Sequence, residues 1–408
     1  MEKSEGSGAA SPGVAAVRIS DAVDELLRFT LSSTLSGDLD FSDLSLSSDF
    51  CSGLLLDNAS ITTQHLNDEE IGNGVPSYPL YKHLAKELGK SFEVGSFPRR
   101  EDLGSNLPPE EQSQIKEIEW DELISKTGFE LSNMYGSVNF ELHVQEPFFS
   151  QLKAGRKKVE GRLAAGNYNN VAQGSLLLFN KCLFLKVERV TRYQSFREML
   201  QVETLANVLP GVATIEEGKF FFSFCVAIYR KFYTEEKEKA SGVLAISVSK
   251  PSSQPYIFMK EILNGLGYDG VGRLLGMIRT AGTVLDALPP SRSLLVSSAG
   301  RSYQPDIKGS TLTDAARALT KHAERSSEGW WGRLKGNDTH KNQLASEVIN
   351  QLLDDCCWMN VHLIQPYGPV FEIRVREGYG ARWSYDGSKF IGFLEPYTVD
   401  GFSKGWKH

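Results

Sequence analysis

A chain of 408 residues, 41% hydrophobic and 23% charged, is long enough for two or three domains and has the composition of a soluble globular protein. No run of eighteen apolar residues occurs, and the opening "MEKSEGSGAASPGVAAV" has no apolar stretch after its charges, so neither a membrane span nor a secretory signal is expected. The formal net charge of -7 hides a segregation: residues 1–135 hold 10 Lys and Arg against 24 Asp and Glu, residues 136–250 hold 16 against 11, and residues 251–408 hold 18 against 16. An anionic partner is therefore expected for the middle of the chain, not for the whole. The five cysteines show no C-x-x-C spacing and no histidines at zinc-ligand distance, so reduced thiols and no metal or other cofactor are expected.

In chain order, residues 1–17 are rich in Gly, Ala and Ser and are expected to be disordered. "SDAVDELLRFTLSSTL" predicts a helix capped by Ser20 with Leu26, Leu27, Leu31 and Leu35 on one stripe. The acidic, Ser-rich stretch after it fits a loose or partner-binding segment, and short helices follow up to residue 130. After Gly136 the texture changes. "SVNFELHVQ" alternates as a strand, "EPFFSQLKAG" is a helix ending at Gly155, and "KKVEGRL" returns to strand. Two apolar strands, "SLLLFN" and "LFLKVERVTRY", precede the helix "SFREMLQV", the amphipathic "EEGKFFFSFCVAIYRKFYTEEKEK" and a closing strand, "GVLAISVSK". These elements predict a small mixed barrel. Gly265, Gly267 and Gly270 form a formal G-x-G-x-x-G, but the preceding "IFMKEIL" reads as helix, so the glycines are expected to hinge two helices and not to cradle a dinucleotide. The domain plan is thus an acidic N-terminal region at 1–135, the barrel at 136–250, a helical Gly-rich connector at 251–289 and a C-terminal α+β unit at 290–408.

That last unit opens with "RSLLVSSAG", carries the long helix "THKNQLASEVINQLLDD" with Leu344, Val348, Leu352 and Leu353 inward, and ends in strands. Along "FEIRVRE" the charged Glu372, Arg374 and Arg376 share one face and Phe371, Ile373 and Val375 the other. His322, Lys335, Asn337, Asp338, Lys341 and Arg382, flanked by Trp330, Trp331 and Trp383, suggest a polar pocket, although single histidines are more often surface or satisfied core residues.

The chemistry concentrates in "LKAGRKKVEGRLAAGNY". Gly155, Lys157, Glu160 and Arg162 form the pattern G-x-K-x-x-E-x-R. Period-two alternation puts Lys158, Glu160 and Arg162 on one strand face, and Lys157 can swing to the same cleft. Arg162 offers a planar fork to a phosphate or base edge, Lys157 and Lys158 give point charge, and Glu160 orients its basic neighbours. Tyr168 is a candidate stacking platform and Tyr193 a second one. The structural alternative is an ion-pair ladder on a solvated face.

This motif, the strand-helix-strand around it, and the later "FREML", "LPG" and "YRKFYTEEKEKASGVLAI" resemble the activating signal cointegrator homology (ASCH) domain, a PUA-like barrel family, over about residues 136–250. The resemblance implies an α+β fold and an RNA-binding cleft lined by Lys157, Glu160 and Arg162, with Gly155 allowing the turn. It also implies a nuclear and/or cytoplasmic role in RNA metabolism or transcription coactivation. Some small members of the family are amidohydrolases on modified pyrimidine nucleosides, using the motif lysine, a hydroxyl residue three positions on and a distant glutamate. Here that third position is Glu160, and Glu203, Glu216 and Glu217 compete for the distant role. A protein-interaction scaffold, with partners at the N-terminal region or the C-terminal unit, is the remaining alternative.

Overall fold

The computed structural model describes residues 17–37, 42–57, 74–98, 111–211, 220–280, 282–304, 311–323 and 329–396. Residues 1–16, Glu216 and Glu217 lie outside them. The chain divides into two compact units, one of residues 1–30 and 125–261, the other of residues 31–124 and 262–408. Packing and charge therefore draw different boundaries. Phe29, from the acidic region, sits edge-on to Phe149 and Tyr256, with the Lys153 ammonium over both Phe29 and Tyr256.

In the first unit a mixed sheet of five strands runs in the order β1-β3-β4-β5-β2 and curls into a half-barrel. β1 (Phe140–Leu142) pairs parallel with β3 (Leu176–Phe179), while β4 (Leu183–Tyr193) and β5 (Val243–Ser249) continue antiparallel to β2 (Val159–Leu163). Parallel pairing of β1 with β3 requires a crossover, and the connection runs through the helix Phe148–Lys153, β2 and the turn Gly166–Asn170. Asn180 and Lys181 take positive φ (48° and 57°) in the tight turn from β3 to β4. Helices Phe196–Val202, Leu205–Val208, Phe220–Arg230 and Glu235–Ser241 follow β4. Ser195 caps the first and Thr234 the last, so the amphipathic stretch breaks into two helices before Thr234. Phe196, Met199, Leu200 and Tyr229 pack on the Val159, Leu163, Val243 and Ala245 face of the sheet.

The predicted N-terminal helix is present as Val23–Leu35, with Leu26, Leu27 and Leu31 fully buried, while Leu35 is exposed. Ser20 lies within a 3-10 turn, Ile19–Asp21, and is not the cap. The acidic Ser-rich stretch contains a helix, Ser48–Leu55, capped by Ser47. Gly267, at φ 56° and ψ -164°, breaks the helical run Pro255–Leu274 in two, which is the hinge the sequence implied.

The second unit contains a four-stranded meander, β6 (Trp358–Ile364), β7 (Gly368–Arg374), β8 (Gly380–Ser384) and β9 (Phe390–Leu394). Helices Arg292–Ala299, Asp314–Ala323 and Asp338–Asp355 belong to the same core, in which Trp383 is fully buried and donates its indole N–H to the Leu295 carbonyl at 3.1 Å. Phe371, Ile373 and Val375 are buried, as alternation predicts. On the long helix, Ala345 and Ile349 are fully buried beside Leu352 and Leu353, whereas Leu344 and Val348 are only half-buried. Glu372, on the polar face, is buried as well, because it is the centre of an ion cluster. Among the described residues no helix is long and apolar enough to cross a membrane.

Candidate functional site

Gly155 adopts φ 68°, a conformation that L side chains rarely take, and turns the chain out of the helix Phe148–Lys153 towards β2. Because β2 begins only at Val159, Lys157 lies before the strand and its side chain folds back into the unit. Its ammonium donates to the carbonyls of Val159 (2.9 Å) and Val208 (2.6 Å) and lies 3.2 Å from Glu160 Oε2. The Phe148 ring stands 5.6 Å from the same nitrogen. Burial pulls the Lys157 pKa below its ordinary value, with Glu160 opposing the shift. Three acceptors and no donor face the nitrogen, so the ammonium form is the one this surrounding satisfies.

Glu160 also faces Arg162, whose Nε lies 3.0 Å from Glu160 Oε1. That contact is an ion pair, not a hydrogen bond: the Nε–H direction misses the carboxylate and the atom is left without a hydrogen-bond acceptor. Another Arg162 nitrogen, Nη2, donates to the His143 carbonyl at 2.8 Å. Since β1 and β2 are the two outer strands of the half-barrel and His143 directly follows β1, this side chain spans the seam between them. Burial alone would lower the Arg162 pKa, but the Glu160 carboxylate together with Tyr233 and Tyr168 outweighs it and drives it up. Tyr168, half-buried, presents its ring 5.8 Å from the Arg162 guanidinium.

The structure thus brings Lys157, Glu160, Arg162 and Tyr168 together and leaves Lys158 aside. Lys158 is exposed; its backbone bonds to Asn207 and Val248 but its side chain is outside the triad. Alternation places Lys158 level with Glu160 and Arg162 and lets Lys157 swing in from the turn; in the structure Lys157 joins the carboxylate and Lys158, just ahead of β2, stays exposed. Tyr193 is buried and donates to Glu203 Oε1 at 2.9 Å, so it offers no stacking face. Glu203 is also gripped by Arg189 through both oxygens at 2.9 Å, and is committed to that pair.

Sequence reasoning missed Phe148, Gly161, Tyr229 and Tyr233. Tyr229 has a buried hydroxyl with no hydrogen-bond partner, and burial raises its pKa well above the usual phenol value, Glu160 adding to the effect. Phe196 stacks on Tyr229 at 4.2 Å and on Tyr233 at 5.5 Å. A Cβ on Gly161 would come within 2.8 Å of Met199 Cε and 3.0 Å of the Tyr229 hydroxyl. The only sequence signal was a glycine in mid-strand, which marks close approach. Gly161→Ala is accordingly expected to cost about 1–3 kcal/mol of stability by overpacking; an unchanged melting temperature would contradict this packing.

The polar pocket expected in the C-terminal unit does not form as one cluster. Asn337 caps the helix Asp338–Asp355, Asp338 accepts from Thr311, Arg382 binds Glu372, and Trp383 is core. His322, Trp330 and Trp331 do stay together, joined by Glu395 and Tyr379.

A curled five-stranded sheet with this motif on its outer strand is a PUA-like barrel fold. The ASCH domain model matches residues 142–252, and over that segment the chain belongs to the ASCH domain family, whose members are generally RNA-binding. A second family model, the CdiA C-terminal tRNase toxin domain, matches residues 302–395. Among solved structures, a hypothetical protein, PH0355, is 38% identical with a TM-score of 0.25 and covers 27% of this chain and 97% of its own. Protein PF0455 from Pyrococcus furiosus is also 38% identical, with a TM-score of 0.24, covering 28% of this chain and 97% of its own. No curated protein matches the chain.

Proposed function

We propose that the ASCH domain binds RNA, or another nucleotide-containing ligand, without acting on it, at the site formed by Lys157, Glu160, Arg162 and Tyr168, in RNA metabolism or transcription coactivation. The observation that carries this reading is a desolvated triad of two cations and one carboxylate beside a half-buried aromatic ring. Two buried polar atoms without hydrogen-bond partners, Arg162 Nε and the Tyr229 hydroxyl, flank the same Glu160–Gly161–Arg162 segment. Unpartnered buried groups are costly, and a ligand acceptor would relieve the cost. The amidohydrolase alternative fares worse. Lys157 is already engaged by three acceptors, and Glu203 is held by Arg189 and Tyr193.

The test is ultraviolet crosslinking of RNA to the intact protein with the crosslinked peptides mapped, which should return peptides spanning residues 157–168. In parallel, Tyr168→Ala should lose about 1–3 kcal/mol of RNA affinity with an unchanged salt slope, because stacking releases no counterions. Crosslinks confined to residues outside 136–250, with Tyr168→Ala binding like the parent, would remove the assignment.

The match over residues 302–395 favours a second reading beside the first: the C-terminal unit cleaves RNA. The domain it resembles is a tRNase toxin domain, and the segment contains a meander sheet with the His322–Glu395 pair just past its last strand.

A further inference from the structure

His322 lies in the last turn of the helix Asp314–Ala323, and its Nδ1 lies 2.8 Å from Oε1 of Glu395, just beyond β9. The same carboxylate oxygen accepts the indole N–H of Trp331 at 2.8 Å. Glu395 is thereby fixed from two sides, and the Arg374 guanidinium holds its backbone carbonyl at 3.1 Å. Neither member of the pair is sealed off: the side chains keep 18% and 15% of their exposure. Trp331 and Phe393 pack round the imidazole, with ring centroids 5.5 Å and 6.1 Å away. Beside Trp331, Trp330 stacks on Tyr379 at 4.3 Å and 9° and is itself only partly buried.

Each component has a chemical reading. A carboxylate on Nδ1 selects the tautomer with Nδ1–H, which leaves the Nε2 lone pair as a base, and a carboxylate pinned by an indole cannot swing away from that task. An indole backed by a tyrosine ring is a rigid platform for a nucleobase. The polar cluster around Glu372 in the same unit lacks this openness, since its carboxylate already has Arg374, Arg382 and His362.

We propose that His322 and Glu395 form the acid–base dyad of the C-terminal unit, His322 deprotonating a ribose 2′-hydroxyl of an RNA strand while Trp330 stacks an adjacent base. The proposal rests on the second reading above, that this unit cleaves RNA. In the step, the 2′-O–H bond breaks and its proton passes to Nε2; the 2′-oxygen bonds to the adjacent phosphorus, and the bond from phosphorus to the 5′-oxygen breaks. The leaving oxygen takes a proton through solvent and the imidazolium returns its own, so the dyad is unchanged. The products are a 2′,3′-cyclic phosphate and a 5′-hydroxyl, and no oxidant or reductant is involved. Glu395 is a positioning residue.

The full-length protein is incubated with two probes, mixed tRNA and a short single-stranded RNA of all four bases, and the new ends are identified by mass spectrometry. The parent should give cyclic phosphate ends. His322→Gln should cleave at least about 100-fold more slowly, the range of general-base removal, and Glu395→Gln should lose cleavage too while melting as a folded protein. Trp330→Ala should raise KM with a smaller effect on kcat, and Trp330→Phe should recover it. A 2′-deoxy substitution at the cleaved position should block the reaction whatever the fold of any variant. Cleavage by the parent that survives His322→Gln, or that proceeds on the 2′-deoxy probe, overturns the dyad while the reading of an RNA-cleaving unit stands. No cleavage of either probe by the parent removes both.

Discussion

Replacing Glu160 by Gln is expected to destabilise the barrel unit by about 3–5 kcal/mol, because removing one member of a buried ion group leaves the others charged and uncompensated. Lys157 and Arg162 are both buried and both lean on this carboxylate, so the loss is felt twice. An exposed ladder would behave otherwise: exposed pairs contribute at most about 1 kcal/mol. Hydrogen exchange of the β2 and β5 peptides in the full-length protein reads the difference, since the two strands pair along the whole of β2. Exchange like that of the parent would mean the triad is not the keystone its geometry makes it. A double variant, Glu160→Gln with Arg162→Met, should be less damaged than the sum of its parts, as expected for residues in direct contact.

The second large effect is expected in acid. Glu372 is buried, which alone would raise its pKa; hydrogen bonding from His362 and the charges of Arg374 and Arg382 outweigh burial and bring it down from 4.5 to about 2. A lowered carboxylate stabilises the fold fully above its unfolded value and loses that contribution as pH falls through the folded one. The window therefore runs from about pH 4.5 down to about pH 2, and the contribution is on the order of 3 kcal/mol. Glu372→Gln should lower the stability of the C-terminal unit by a similar amount at neutral pH and flatten its acid dependence across that window. Hydrogen exchange of β7 and β8 at a series of pH values measures it. A variant with the parent's acid slope would show that the cluster is not what responds to protons.

These clusters mark where sequence reasoning succeeds and where it stops. The strand pattern of the barrel and the helix hinge at Gly267 were legible, because alternation and glycine conformation are local properties. The motif was legible as a set of residues, but not which lysine joins it. That depends on the Gly155 turn and on the Lys157 bonds to Val159 and Val208, the latter fifty-one residues away. The pairing of Glu372 with Arg382 needs the register of β7 against β8, where the two are direct partners. Tyr229 and Gly161 meet only after a helix has folded back over the sheet, and no periodicity announces that contact.

The Arg162 bond to His143 has a mechanical consequence. Among the described strands of the half-barrel, neighbours are riveted by backbone hydrogen bonds, but the gap between its first and last members is clasped by a guanidinium. A backbone rivet is blind to what lies beside it. A guanidinium is not: any anion that draws Arg162 outward slackens the hoop, and any ligand that settles against it without displacing His143 tightens the hoop. On the proposed reading, occupancy of the site and stiffness of the β-hoop would be tied to this one side chain, and a bound strand of nucleic acid would pull on β1 and β2 through it.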